Sequence, residues 1–283
     1  MLGITVFGLL ILLLISAGLV YKSLPVIRQQ SLHDLIFTSS WKPSKGHFGF
    51  LTFILSSIHV TMIAILIALP LSLFSAIYLS EYAKEWVKKL MSPAIDLLSG
   101  IPPVIYGVWG TLTIVPWISD SLAPHFVEFS TGYSVLAGGI VLAIMIIPLI
   151  ISILMEVFAA VPLEMREVSL SLGATKWQTI KRVLLLKSLP GVLAAVILAI
   201  SRAFGETIAV LMVCGNFTDV PKSIFDACYP LPALIANNYG EMMSLPIYES
   251  ALMFAALLLF VIIIIFNAVS RLILNHITRR YQL

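Results

Sequence analysis

The sequence predicts an all-α integral membrane protein, a single domain over residues 1–283 with six transmembrane helices. Three observations carry this. Charged residues make up 11% of the chain and hydrophobic ones 60%, whereas a soluble domain is about a quarter charged, and the mean hydropathy is +1.04. Several apolar runs reach about 20 residues, the length a helix needs to cross a hydrocarbon core ~30 Å thick. Lys and Arg gather in loops beside those runs, where they set orientation, so the net charge of +3 carries no nucleic-acid signal. Cys214 and Cys228 are the two cysteines. With no CxxC, HExxH or His/Cys cluster, neither a metal nor a redox site is expected.

The first span, Leu2–Val20, is apolar from its start and has no basic leader or A-x-A-like cleavage site after it, so it reads as a retained helix. The segment Tyr21–Phe50 follows as a loop on the outer side, with Trp41-Lys42-Pro43 suggesting an interfacial turn. The second span, Leu51–Ser80, is longer than a bilayer requires and contains Pro70, which predicts tilt or a kink.

The third span is placed at Leu97–Ile118. Its opening, Ser99-Gly100-Ile101-Pro102-Pro103, breaks regular helix. Irregular backbone at membrane depth survives where protein buries it or water reaches it. Gly100, Pro102 and Pro103 are therefore candidates for a pathway-lining or hinge element, with a kinked packing helix as the other reading. Asp96 is expected near the inner interface as a solvated carboxylate. The fourth span, Tyr133–Met155, carries Gly138-Gly139, small residues that let membrane helices approach closely.

A polar, basic segment, residues 157–188, separates the fourth and fifth spans. Pro162, then Glu164 and Glu167, then Gly173 mark one short helix, because Pro favours a first turn, acids favour a helix start and Gly favours the position after the end. Thr175 and Gln178 have capping-box spacing for a second, basic helix. Leu170, Leu172 and Trp177 stand exposed in this charged setting. A protein partner explains the acidic first helix, and an anionic lipid surface suits the basic second one.

The fifth span, Leu189–Val213, contains Arg202 and Glu206. Arg202 lies 13 residues after Leu189, about 20 Å along a helix. Placing Arg at that depth costs about 2.5–3.5 kcal/mol, so such a residue faces a partner or a watery cavity. Glu206, four residues on, is expected on the same face. An internal ion pair is the bland alternative, although Arg before Glu is the less favourable order. Anion handling is the functional reading: guanidinium offers fixed planar donors to oxyanions, Glu206 limits how tightly an anion is held, and Thr207 adds a hydroxyl. The sixth span is Ser250–Val269, an aliphatic scaffold. Pro221, Pro230, Pro232 and Pro246 predict an irregular loop before it. A disulfide between Cys214 and Cys228 and two reduced thiols are equally compatible with the sequence.

With the first residue inside, the inner segments hold eleven of the 17 Lys and Arg (Lys84, Lys88, Lys89, Arg166, Lys176, Lys181, Arg182, Lys187, Arg271, Arg279, Arg280), and the outer segments hold five (Lys22, Arg28, Lys42, Lys45, Lys222). The bias places both termini in the cytoplasm.

Two motifs resemble a known family. Glu167-Val168-Ser169-x-x-x-Gly173 is similar to the EAA loop of ABC importer permeases, with Val168 in place of Ala and Leu185-Leu186 where the family has Leu-Pro. Ser201-Arg202-Ala203-Phe204-Gly205-Glu206-Thr207-Ile208-Ala209-Val210, followed by Gly215-Asn216, resembles the GRAxGETxAV…GN segment of the C-type (PstC) permeases of bacterial phosphate ABC transporters, with Ser201 in place of Gly. Tyr78-Leu79-Ser80-Glu81-Tyr82, the Gly100–Gly107 segment and the Gly132–Ala143 segment extend the likeness from about residue 50 onward.

The resemblance implies a type I importer (MetI-like) core and a multi-pass protein of the bacterial or archaeal plasma membrane. It implies pairing with an A-type permease, two ATPase subunits and an extracytoplasmic phosphate-binding protein, besides membrane lipid. It assigns Arg202 and Glu206, with Thr207 beside them, to phosphate passage, and Glu164, Glu167 and Gly173 to ATPase coupling. ATP and Mg belong on the partner ATPase: this chain has no G-x-x-x-x-G-K-[ST], and no bound cofactor or enzymatic activity of its own is expected. Alternatives are a permease for molybdate or sulfate, or a proton-coupled secondary transporter built on Arg202 and Glu206.

Overall fold

The computed structural model describes residues 2–242 and 245–281. Helix α1 (Leu2–Gln29) leads into α2 (Leu32–Phe37) and a two-stranded antiparallel ribbon, β1 (Trp41–Lys42) with β2 (His47–Phe48). Helices α3 (Leu51–Ile77), α4 (Glu85–Ser99), α5 (Pro103–Trp109), α6 (Val115–Trp117) and α7 (Val135–Ala159) follow. Then come α8 (Leu163–Ser171), α9 (Lys176–Thr179), α10 (Leu185–Phe204), α11 (Ile208–Val213), α12 (Leu231–Met242) and α13 (Pro246–Tyr281). Among the described residues, five continuous helical stretches are long and apolar enough to cross a membrane: Thr5–Gln29, Leu51–Tyr82, Val135–Ala159, Lys176–Phe204 and Pro246–Asn275. The pair Glu85–Ser99 and Pro103–His125, bent by 90°, makes a sixth if counted as one.

The core is the α3–α7 pair. Small residues bring the two backbones together: a Cβ at Gly139 would run into the Ile63 side chain, and one at Gly138 would meet Val60 at 3.2 Å. Ala64, Ala68, Val141, Ile146 and Ile150 are fully buried or nearly so along this seam. The Ser72 hydroxyl donates to the Ile147 carbonyl across it at 3.3 Å. Helix α5 packs on α11 by the same device, since a Cβ at Gly107 would lie 2.7 Å from the Met212 sulfur and 3.2 Å from Ala209 Cα.

Three predicted elements outside the fifth span and the loop before it differ. The third span does not begin at Leu97. That residue belongs to α4, an amphipathic helix that turns Val87, Met91 and Ile95 toward the core and leaves Lys89 and Asp96 exposed. The spacing of four between its apolar positions marks one helical face, and the prolines Pro102 and Pro103 then start α5 after the 90° elbow. The Tyr106 hydroxyl reaches back and donates to the Leu98 carbonyl at 2.8 Å, satisfying one of the acceptors that the end of α4 leaves open.

The second difference is α12, which occupies Leu231–Met242 where an irregular loop was expected. Pro232 is its second residue, a position where a missing N–H costs nothing. The third is the outer loop, which is shorter than Tyr21–Phe50 because α1 continues to Gln29. Residues 30–50 fold into a small cap in which Trp41 meets Phe48, Phe50 and Phe53 with ring centroids 5.0–5.6 Å apart, favourable edge-on geometries. Phe53 in turn meets Tyr229, and Phe50 meets Phe254. The same cap is tied to α13 through α1, where the Val26 N–H, next to Pro25, donates to Ser250 Oγ at 3.0 Å.

Candidate functional site

The fifth span is a broken helix. Helix α10 stops at Phe204, where the N–H groups of Gly205 and Glu206 turn to the carbonyls of Arg202 and Ala203 at 3.2 and 3.3 Å, tightening the last turn. Thr207 follows with φ −113° and ψ −59°, and α11 starts at Ile208. The two polar residues after the break repair it. The Thr207 hydroxyl donates to the Gly205 carbonyl at 3.2 Å, and the Glu206 carboxylate accepts the Ala209 N–H at 3.4 Å. A carboxylate at the start of α11 also complements the positive end of the helix dipole.

Arg202 and Glu206 consequently do not share a helical face, and the i,i+4 relation expected from a continuous helix is absent. Glu206 is half-buried and lines a cleft of about 10 Å³ with Ser57, Thr61, Ala203, Val210 and Pro230. That volume is the lower bound for one water molecule, so no oxyanion fits within the chain here. Arg202 points the other way. It is exposed, on a stripe with Ala194 and Leu198, and among the described residues it has no ion-pair partner. On the adjacent face, Ser201 Oγ donates to Asn267 Oδ1 of α13 at 3.1 Å. The break thus separates an inward acid from an outward base.

Beyond α11, Gly215 (φ 82°) and Asn216 (φ 54°) turn the chain through two left-handed residues. A Cβ at Gly215 would come within 3.0 Å of both Ala227 and Tyr133, which restricts the position to glycine twice over. Asn216 Nδ2 donates to the Leu211 carbonyl at 3.0 Å and caps α11. Cys214 and Cys228 are free and fully buried against each other in this turn. Among the described residues, no group of three or more His, Cys, Asp or Glu side chains is placed to hold a metal ion.

The second candidate region is α8. Its end is a complete Schellman motif: Gly173, at φ 84°, donates to the Leu170 carbonyl at 2.9 Å, and Ala174 donates to Ser169 at 3.2 Å. The predicted capping box of Thr175 and Gln178 is present. The basic helix it starts does not end within the loop; it runs through a π-turn at Ile180–Leu184 directly into α10. No residue of helix α8 is fully buried; Met165, Arg166 and Ser169 are half-buried and the rest are exposed. Glu164 and Glu167 are exposed, as are Leu163 (65%), Val168 (58%) and Leu172 (83%). Helix α8 thus exposes acids and apolar side chains side by side.

These features are those of a transporter subunit, and a family model described as binding-protein-dependent transport system inner membrane component matches residues 68–283. The chain belongs to that family of permeases. The permease is 34% identical to the phosphate transport system permease protein PstC of Xylella fastidiosa over 87% of this chain and 80% of the relative. It is 35% identical to the probable PstC of Methanocaldococcus jannaschii over 94% and 89%. Against the probable ABC transporter permease protein YqgH of Bacillus subtilis it is 43% identical over 74% of this chain and 66% of the relative. Among solved structures, the MetNI methionine ABC transporter in an inward-facing conformation matches with TM-score 0.57 at 18% identity, covering 79% of this permease and 91% of that chain. A bacterial ABC transporter importing alginate matches with TM-score 0.55 at 15% identity, covering 78% and 79%. The likeness to these two confirms the MetI-like fold. Membership makes the permease the membrane-spanning component of its importer, with ATP hydrolysis and substrate capture on an ATPase and a binding protein.

Residues outside the predicted site also converge on the permease's loop region. Arg166 of α8 meets Glu81 at 3.2 Å and the Phe158 carbonyl at 2.6 Å, and Lys176 lies 4.6 Å from the centre of the Tyr82 ring. In the sequence Arg166 counts only as one basic residue of a loop, and Glu81 lies far away at the end of another span.

Proposed function

We propose that this permease carries inorganic phosphate into the cell as one half of a heterodimeric pathway, paired with an A-type permease and driven by two ATPase subunits. Both termini lie in the cytoplasm, as does α8, and Glu164 and Glu167 engage the ATPase. The observation that supports this best is Arg202: a guanidinium at the chain's outer surface, beside a helix break, without an acid among the described residues to neutralise it. Lipid is a costly neighbour for such a group. A water-filled seam with a second permease accommodates it and lets its planar donors meet an oxyanion in passage. The likeness to PstC proteins over nearly the whole chain supplies the substrate. Glu206, on the other side of the break, holds the start of α11 and through it the shape of the path. Gly100, Pro102 and Pro103 act as the elbow about which α4 and α5 are set, rather than as ligands of the ion.

The test is ATP-driven uptake of labelled phosphate into proteoliposomes that contain this chain, its partner permease and the ATPase, with the binding protein supplied and sulfate and molybdate run in parallel. Phosphate uptake that requires ATP is the expected result. Uptake of sulfate or molybdate alone would assign a different oxyanion, and phosphate uptake without ATP would make the chain a secondary transporter.

A further inference from the structure

We propose that the Arg166–Glu81 ion pair is the link through which movement of α8 reaches the transmembrane helices. The proposal rests on reading α8 as the ATPase-docking helix. Because no apolar side chain of α8 is fully buried and Met165 alone is half-buried, apolar packing does not by itself hold it to the membrane-embedded core. Polar attachments do. Arg166 is 16% exposed and Glu81 11%, so the pair is largely withdrawn from water, unlike the exposed pair Lys88–Glu85. Arg166 Nη1 meets Glu81 and Nη2 donates to the Phe158 carbonyl near the end of α7. A single guanidinium therefore bridges α8, the end of α3 and the end of α7, and α3 with α7 forms the core seam.

Glu81 is placed for this by a local irregularity. The last turn of α3 widens into a π-turn, Tyr78–Tyr82, closed by the Ala83 N–H on the Tyr78 carbonyl at 2.9 Å. Such turns recur where a helix must present side chains out of its regular phase. Here the turn presents Glu81 to Arg166 and the Tyr82 ring to Lys176. The α8–α9 hairpin, fastened across itself by the 2.9 Å contact of Ser169 and Thr179 hydroxyls, thus grips the end of α3 at two points. Of the two, the charged, screened contact is the stiffer, and breaking one partner leaves a charge poorly solvated. Arg166 and Glu81 are positioning residues in this scheme: they touch neither the substrate nor the ATPase.

The experiment uses the complete reconstituted transporter and measures three quantities: ATPase retained on purification, ATP hydrolysed, and phosphate transported per ATP. Arg166→Gln and Glu81→Gln are expected to keep the ATPase bound while lowering phosphate per ATP by about fivefold or more, the lower end of ordinary coupling between sites. The exchange Glu81→Arg with Arg166→Glu is expected to recover part of that ratio, the share carried by the charge pair, because a carboxylate at position 166 cannot donate to the Phe158 carbonyl. A normal ratio in the single variants would overturn the proposal. So would loss of the bound ATPase, which would make Arg166 a docking residue, or failure to assemble that the exchange repairs, which would make the pair a folding element. An assembled exchange variant with no recovery would equally overturn it. Glu167→Arg separates the underlying reading: if it leaves ATPase binding and transport intact, α8 is not the docking helix, whatever the Arg166 variants do.

Discussion

Arg202 stands in the last turn of one helix and Glu206 caps the next, so two opposite charges four residues apart face different surroundings instead of pairing. The division follows from the chain itself. Phe204 is the last helical residue, the Glu206 carboxylate takes the Ala209 N–H at 3.4 Å, and Arg202 is left exposed. Arg202→Gln should therefore leave folding and assembly intact and lower phosphate uptake by on the order of tenfold or more, the equivalent of losing one charge-assisted contact of about 1.5–3 kcal/mol. Arg202→Lys should fall between, because it keeps the charge and loses the planar fork. Uptake by Arg202→Gln equal to wild type would remove this residue from the pathway.

Glu206 has a structural duty that Arg202 lacks. Glu206→Gln keeps an oxygen for the Ala209 N–H, whereas Glu206→Ala removes it and should cost about 1 kcal/mol, the usual value of a helix cap. The expected order of thermal stability in detergent is wild type, then Gln, then Ala. If Gln transports normally and Ala is merely less stable, the charge has no part in passage. If Gln already transports poorly at wild-type stability, it does.

Gly173 offers a test free of crowding. No atom lies within 4 Å of a Cβ placed there, yet its φ of 84° is left-handed. Gly173→Ala should weaken the α8 terminus by about 1 kcal/mol through backbone strain alone. Gly173→Asn, which tolerates that conformation, should weaken it less, and Gly173→Val more. Hydrogen exchange across α8 reads the order directly. Equal protection in all three would show that the Schellman turn does not hold α8.

The thiols of Cys214 and Cys228 should behave as a protected pair. Burial, then contact with Cys228, pushes the Cys214 thiol well above its ordinary range, so at neutral pH it is protonated and unreactive. Maleimide added at pH 7 to the folded protein should label neither residue, and both should react after denaturation. Rapid labelling of the folded protein would contradict the buried arrangement.

What could be read from the sequence was what local chemistry decides. The apolar runs, the Pro162-to-Gly173 helix and the Thr175–Gln178 capping box each rest on residues close together in the chain. The helix break at Gly205 was hidden because an isolated Gly in an apolar helix is commonly tolerated, and only Glu206 and Thr207, by satisfying the freed backbone, make the break stable. The break in regular helix before Pro103 was legible, but the separate helix α4 was hidden because Val87, Met91 and Ile95 continue apolar patterning up to the prolines, and α12 because its prolines suggest a loop while standing at a helix start. The Arg166–Glu81 contact depends on how two distant spans end beside each other, which no local pattern encodes.

The α3–α7 seam gives the remaining prediction. Both Gly138 and Gly139 are fully enclosed, and a Cβ on Gly139 would overlap the Ile63 side chain. Ile63 is branched at its Cβ, which would lie 2.7 Å from the added atom, and its neighbours Val60 and Ala64 are buried, so relief requires the helices to separate. Gly139→Val should cost about 1–3 kcal/mol, the range for overpacking, and lower the yield of folded protein. Gly8→Ala in α1, where no atom lies within 4 Å of the added methyl, should be neutral or slightly stabilising, since alanine is the better helix former. Melting of the two variants in the same detergent compares them directly. A Gly139→Val protein as stable as Gly8→Ala would mean that α3 and α7 do not approach through glycine, and the core would need another explanation.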